Sequence, residues 1–311
     1  MTTRTYLSAY SHVDDASFRA WGLELSTQLQ ACGLVLVADT TNADWTSVLW
    51  SGTVDTAICH EFFKLPDSSL FFKLEYGTAG GANIPGLWLT VGESSDGNGN
   101  LGGAVSSRGP LCAQNARGAL VSTVTAFTSY ICVTNDYFGL VWKANAYAMD
   151  NGNGGDIPGC HNGFAAVMKT VDGNGNATGE GYGFVYSQAN LGYLGNYNPY
   201  IYPLQSVRRG TGAGTGVIST STAYCLNVGN LPSQVLRDGS EQVYGCAGAF
   251  PETLPLMHIC AVFTAEVPNG TSFPCKTVGS TPHTFVAFGD AAVRQSFLAP
   301  ANVWAPALFW E

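Results

Sequence analysis

Two copies of one pentapeptide are the first residues here that could do chemistry. Asp-Gly-Asn-Gly-Asn stands at Asp96 to Asn100 and again at Asp172 to Asn176. Oxygen-bearing side chains at alternate positions open the calcium loop of an EF-hand. That loop needs Gly at its sixth position and a bidentate Glu at its twelfth. Leu101 and Ser107 stand there in the first copy, and Ala177 and Gly183 in the second. The EF-hand fails in both. Asn-Gly and Asp-Gly also favour tight hairpin turns, because they tolerate positive φ. Turn formation is the expected use, with a weak calcium site as the alternative.

The other candidates are thinner. His60-Glu61 lacks the second His of a zinc-protease helix and is placed at the opening of a strand. His12, His161, His258 and His283 are scattered. Gly210-Thr211-Gly212-Ala213-Gly214 has the spacing of a phosphate cradle but no Lys-Ser/Thr ending and no helix after it. No G-x-S-x-G nucleophile elbow occurs. The nine cysteines include no C-x-x-C pair, so zinc-ribbon and thioredoxin readings fail. Cys132 and Cys260 sit inside apolar runs. Free buried thiols in a reducing compartment are expected, with disulfides or metal ligation as the alternative. Tyr182, Tyr186, Tyr193, Tyr197, Tyr200 and Tyr202 form the densest aromatic group. Tyrosine is enriched at protein interfaces, so subunit packing is expected, and a carbohydrate site is the alternative. No catalytic, cofactor-binding or metal residue is assigned.

The elements that would position these residues are mostly strands. One helix is expected over residues 14–32. Phe18, Trp21, Leu25, Leu29 and Cys32 recur at three- and four-residue steps, Asp14 and Asp15 lie at the start, and Gly33 follows the end. Short apolar runs then alternate with turns. Phe62 to Leu65 and Phe71 to Tyr76 flank a Pro66-Asp67-Ser68-Ser69 turn and predict a hairpin. Leu87 to Val91 is the next strand. Strand signals resume at Val121 and run through Trp142, and Gly163 to Val171 should pair with Gly183 to Tyr186. Residues 188–216 read as a long loop. Later strands are expected at Ser219 to Asn227, Met257 to Glu266 and Thr284 to Gly289. The apolar end, Trp304 to Glu311, is expected to pack as a closing strand or against another subunit. This is a mainly β chain with β-sandwich or barrel-like domains and one amphipathic N-terminal helix. A boundary near residue 110 divides it into a helix-plus-β domain, 1–110, and a β-rich part, 111–311.

Composition narrows the partners. Charged residues make up 11% of the 311-residue chain, against about a quarter in ordinary soluble domains. Such a surface is expected to be covered by other copies or other proteins. A net charge of −9 argues against a nucleic-acid partner. No apolar run is long enough for a membrane-spanning helix. The first residues, Met1 to Tyr6, lack the basic and apolar regions of a secretory signal.

The order of these motifs resembles a family of tailed-bacteriophage virion structural proteins, most of them of the tail or baseplate. The resemblance rests on the amphipathic helix, Gly33-Leu34, Asp39-Thr40 and Asp44-Trp45. It continues through Phe72 to Gly77, Pro85 to Gly92, Asp96 to Gly99, Phe138 to Ala144 and Val167 to Gly175. Thr284 to Gly289 and Leu308 to Glu311 close it. Thr41-Asn42-Ala43 departs from the Gly-Gln-Ile common between the two Asp motifs in that family. The resemblance implies a non-enzymatic assembly protein of the virion, made in the host cytoplasm, with itself and other phage structural proteins as partners and no cofactor. Two other roles remain open at this stage. One is a capsid decoration or cement protein; the other is a receptor- or carbohydrate-binding tail-fibre module that would take a host surface glycan.

Overall fold

Helix formation at the N-terminal end follows from three local devices. In the computed structural model, α1 spans Asp15–Ala31. Asp14 caps it, accepting from the Ser17 N–H at 2.7 Å while Ser17 Oγ reaches back toward the Asp14 N–H. The reciprocal pair satisfies donors that the first turn would leave open. At the other end Gly33 takes φ +119°. The Leu34 N–H donates to Leu29 O and the Gly33 N–H to Gln30 O, which is the Schellman arrangement. The helix expected over 14–32 is therefore present with both of its stops. The structure describes residues 2–9, 14–53, 56–67, 69–78, 85–106, 108–111, 126–144, 163–188, 204–208, 216–219, 260–263, 272–275, 281–287 and 304–310.

Most of the rest of the described chain is strand, in four antiparallel sheets. β1 (Thr2–Ala9) precedes the helix and β2 (Val35–Leu36) follows it. Next come β3 (Thr56–Lys64), β4 (Phe71–Thr78), β5 (Pro85–Gly92), β6 (Ser94–Ser95), β7 (Leu101–Gly102) and β8 (Gly109–Pro110). β9 (Ala126–Val133), β10 (Tyr137–Ala144), β11 (Gly163–Val171), β12 (Ala177–Gln188), β13 (Leu204–Arg208) and β14 (Gly216–Ser219) continue the order. β15 (Cys260–Phe263), β16 (Ser272–Cys275), β17 (His283–Ala287) and β18 (Trp304–Phe309) complete it. One sheet runs β2-β3-β4-β5-β8, a second β1-β9-β10-β11-β12-β13-β14, and a third β15-β18-β17-β16; β6 and β7 form a small ribbon.

Alternation decides which face each sheet buries. On the five-stranded sheet, the inward positions are Glu61 and Phe63, then Phe72, Leu74 and Tyr76, then Leu87, Leu89 and Val91, matched across the strands by register. On the seven-stranded sheet, Ile131, Val133, Phe138, Leu140, Ala165, Val167, Tyr182 and Phe184 meet them and the helix in one core. Phe72 and Phe138 touch across that interface with centroids 5.1 Å apart. The far face of the seven-stranded sheet carries Tyr137 and Gly139. It receives Leu308 and Phe309 of β18, the Tyr137 and Phe309 rings lying 5.0 Å apart. The apolar end thus packs within its own chain, as the central partner of β15 and β17.

Several expectations change. β1 was unforeseen, and it sits beside β9, so residues on both sides of the expected boundary near 110 share one sheet and one core. β13 lies inside the stretch read as a long loop, because pairing with β12 on one side and β14 on the other supplies the ladder. β3 begins at Thr56, so His60 and Glu61 are mid-strand and do not open it. Of the run from Val121, residues 126–133 form β9; 121–125 lie outside the described residues.

Gly22 is the close-approach point on the helix. A side-chain carbon added there would overlap the Trp45 ring. Alanine is intrinsically the better helix residue by about 1 kcal/mol, yet the ring has nowhere to retreat between Phe18 and Tyr76. Gly22→Ala is therefore expected to lower stability by about 1–3 kcal/mol, read from the urea midpoint. A stabilised variant would show that the ring is free to move.

Candidate functional site

Glu61 is the one carboxylate whose residue is buried among the described side chains, at 3% exposure. β3 aims it inward, to the position opposite Leu74. An isolated charge there would be costly, and three donors from three other segments meet it. Ser26 of α1 donates to Oε1 at 2.9 Å. The Trp45 indole N–H donates to the same oxygen at 3.0 Å. The Tyr76 hydroxyl donates to Oε2 at 2.7 Å. Burial lifts the Glu61 pKa above the usual carboxylate value, and the bonds from Tyr76, Trp45 and Ser26 offset only part of that. Cys59 shares this face, and burial, then the Glu61 charge, push its thiol up to about 12. A thiol held that high is a poor nucleophile.

Trp45 reaches this site because Asp44 builds its turn. Asp44 Oδ1 accepts from the Thr46 N–H and hydroxyl, and Oδ2 from the Ser47 hydroxyl. These bonds hold the Asp44 carboxyl at about 2. The Trp45 ring then stands edge-on to Tyr76, with centroids 4.9 Å apart.

The opposite face of the same sheet carries a second polar group. Thr41 donates its hydroxyl to Asp39 Oδ1 at 2.6 Å and lies 2.8 Å from His60 Nε2. A hydroxyl that donates to Asp39 accepts from the imidazole N–H. A nucleophilic triad requires the reverse, with the imidazole between hydroxyl and carboxylate and taking the hydroxyl proton. This arrangement cannot activate Thr41. Burial, then the nearby Lys73 charge, lower the His60 pKa, against Glu75 and Asp39. Asp39 Oδ2 also accepts from the Gly99 N–H at 3.0 Å, and the Thr40 N–H donates to Gly97 O. The segment around Asp39 and the first pentapeptide loop thereby cover this face. Phe62 and Phe63, on opposite faces, are both buried for that reason.

The two pentapeptides use their aspartates alike. Asp96 Oδ1 accepts from the Asn98 and Asn100 N–H groups, and Asp172 Oδ1 from those of Asn174 and Asn176. Each second oxygen accepts from the Asn100 or Asn176 amide. The carboxylates close five-residue loops, so the expected turn chemistry is present. It is not the two-residue type I′ turn, because Asp172 and Asn176 are themselves bonded as loop ends. Among the described residues no three His, Cys, Asp or Glu gather as a metal site would need.

Tyr182 is corrected. It was grouped with the surface tyrosines, but it is fully buried, and its hydroxyl lies 2.9 Å from Val91 O and 2.7 Å from Ala104 O. It ties the seven-stranded sheet to β5. Tyr193, Tyr197, Tyr200 and Tyr202 lie outside the described residues, as does the Gly210 to Gly214 run. Lys169 makes a second tie between sheets, pairing with Asp67 and with Asp136 at 2.8 Å. Cys32, Cys59 and Cys132 form no disulfide; the side chains of the other six cysteines lie outside those described.

The sequence reading missed the Glu61 site. A signal was present: Cys59, Glu61 and Phe63 alternate, so an inward-facing strand position carries a charge. No family of proteins, no curated protein and no solved structure matches the chain.

Glu61→Ala removes the shared acceptor of Ser26, Trp45 and Tyr76 and is expected to cost about 2–4 kcal/mol. Glu61→Gln keeps an acceptor for Ser26 and Trp45 and can donate to Tyr76. A raised folded pKa means the folded chain binds the extra proton. Stability therefore falls as pH rises from the unfolded carboxylate value, about 4.3, through the folded value. Urea midpoints at several pH values should show this fall in the parent relative to Glu61→Gln. Parallel curves would contradict it.

Proposed function

We propose that this chain is a non-enzymatic structural component of a tailed-phage virion, seated in the tail or baseplate. Its partners there are copies of itself and other virion proteins. The observation that carries the reading is the use to which the chemically capable side chains are put. Glu61, Asp39, Asp44, Asp96 and Asp172 each accept from donors of their own chain, and each fixes a segment in place. Their work is to define a shape.

The surface supports the same reading. Leu49 is 66% exposed and Leu23 52%. Val35 and Leu36 are both exposed on β2, the outermost strand of its sheet. Outer strands offer backbone groups to a neighbour, and with 11% charged residues, against about a quarter in ordinary soluble domains, much of the surface is left uncharged. No helix among the described residues is long and apolar enough to cross a membrane. The order of motifs that resembles tail and baseplate proteins adds to this reading and is what directs it to that part of the particle.

Immunogold labelling of intact particles, with antibody raised to the exposed Asp96 to Asn100 loop, tests the placement. Gold clustered at the tail end is expected. Gold spread over the head would overturn the reading in favour of a decoration protein.

A further inference from the structure

Arg108 is held on the outward face of the five-stranded sheet by contacts that leave most of its donors unused. Its Nε donates to Glu75 Oε2 at 2.6 Å. Its guanidinium carbon stands 4.3 Å from the centre of the Trp88 ring. Glu75 and Trp88 are paired across β4 and β5, so one row of the sheet supplies both contacts. The ring is a fixed floor. It lies against Gly86, where a side-chain carbon would overlap it, and it is buried. Arg108 above it keeps 40% of its side chain in solvent.

A guanidinium carries its N–H donors in a rigid fork. Glu75 takes the Nε–H, and among the described residues no acceptor meets Nη1 or Nη2. The nitrogens left over are able to bind a carboxylate through parallel bonds. Lys73 lies two residues from Glu75 on the same face of β4, which adds a second cation beside the first. Stacking and the Glu75 bond have already removed side-chain freedom that a loose arginine would lose on binding. An exposed ion pair contributes little to stability, so the pairing with Glu75 does more to orient Arg108 than to hold the fold.

The ligand that suits this fork is a carboxylate, and the chain itself is a source of them. It holds 22 Asp and Glu against 13 Lys and Arg, with a net charge of −9. Copies of so acidic a chain repel one another, and charge complementarity favours their meeting where one of them presents a cation. We infer that Arg108 docks a surface carboxylate of a second copy of this chain. The inference rests on the proposed assembly role and names one contact within it.

Sedimentation velocity of the full chain, over a range of concentrations in low and in high salt, reads this contact. The parent is expected to self-associate in low salt and to dissociate as salt rises. Arg108→Gln should raise the dissociation constant about tenfold. Arg108→Lys keeps the charge but loses the fork, and should recover only part of that loss. Urea midpoints of both variants should stay near that of the parent; if Arg108→Gln does not fold, Arg108→Lys carries the comparison. A parent that stays monomeric at every concentration, or an association indifferent to the substitutions, would overturn the proposal. So would a monomeric parent that binds a hexuronate oligosaccharide through Arg108, which would assign the fork to a glycan. Gold at the tail end does not depend on Arg108, so failure here with that labelling intact would strike this contact and leave the assembly reading standing.

Discussion

A carboxylate taken out of water has to be answered, and the way Glu61 is answered organises the N-terminal half of the molecule. Its two oxygens receive one donor each from the helix, the Asp44 turn and the neighbouring strand, with Trp45 and Ser26 sharing Oε1. Tyr76 lies on β4, already laddered to β3, and the segment of the Asp44 turn is also bonded to β3 through Ala43 and Asn42. Ser26 adds a directional contact to the helix's apolar packing, which is strong but non-directional. The hydrogen bonds set where along the sheet the helix stops and how Trp45 is turned. Gly22 is the complement of that arrangement, since the ring held by Glu61 lies where a side chain on the helix would be.

The same logic recurs at larger scale. Tyr182 fixes the seven-stranded sheet against β5 through two carbonyls, and Lys169 fixes it against the β3–β4 turn through Asp67. Hydrophobic burial supplies most of the stability of such layers, and a small number of satisfied polar contacts selects one alignment among many. A particle protein that must present the same surface in every copy benefits from that selection. This is the physical content of the proposed role: the polar residues specify a rigid shape, and the exposed aliphatic side chains and outer strands are what remains for neighbours.

Legibility in the sequence tracks how local the cause is. The helix was readable to within a residue, because its cap, its apolar spacing and its terminal glycine all lie within it. The β3–β4 and β11–β12 hairpins were readable because each is a contiguous pair of runs around a turn. β1 was not, since Thr2 to Ala9 owes its strand state to β9, more than a hundred residues away. β13 was hidden for the same reason. The Glu61 site needed the three-dimensional meeting of positions 26, 45, 61 and 76, and only its inward phase was written locally. Tyr182 was misassigned because a tyrosine near a tyrosine-rich loop looks like surface until the register of β12 turns it inward.

The central claim is that the Glu61 carboxylate, and not apolar packing alone, ties the helix and the Trp45 turn to the sheet. Amide hydrogen exchange on Glu61→Ala beside the parent chain tests it most directly. The account expects protection to fall first in α1 and in residues 44–48, while β11 and β12 keep theirs. Protection lost evenly across both sheets, or not lost in α1 at all, would contradict it.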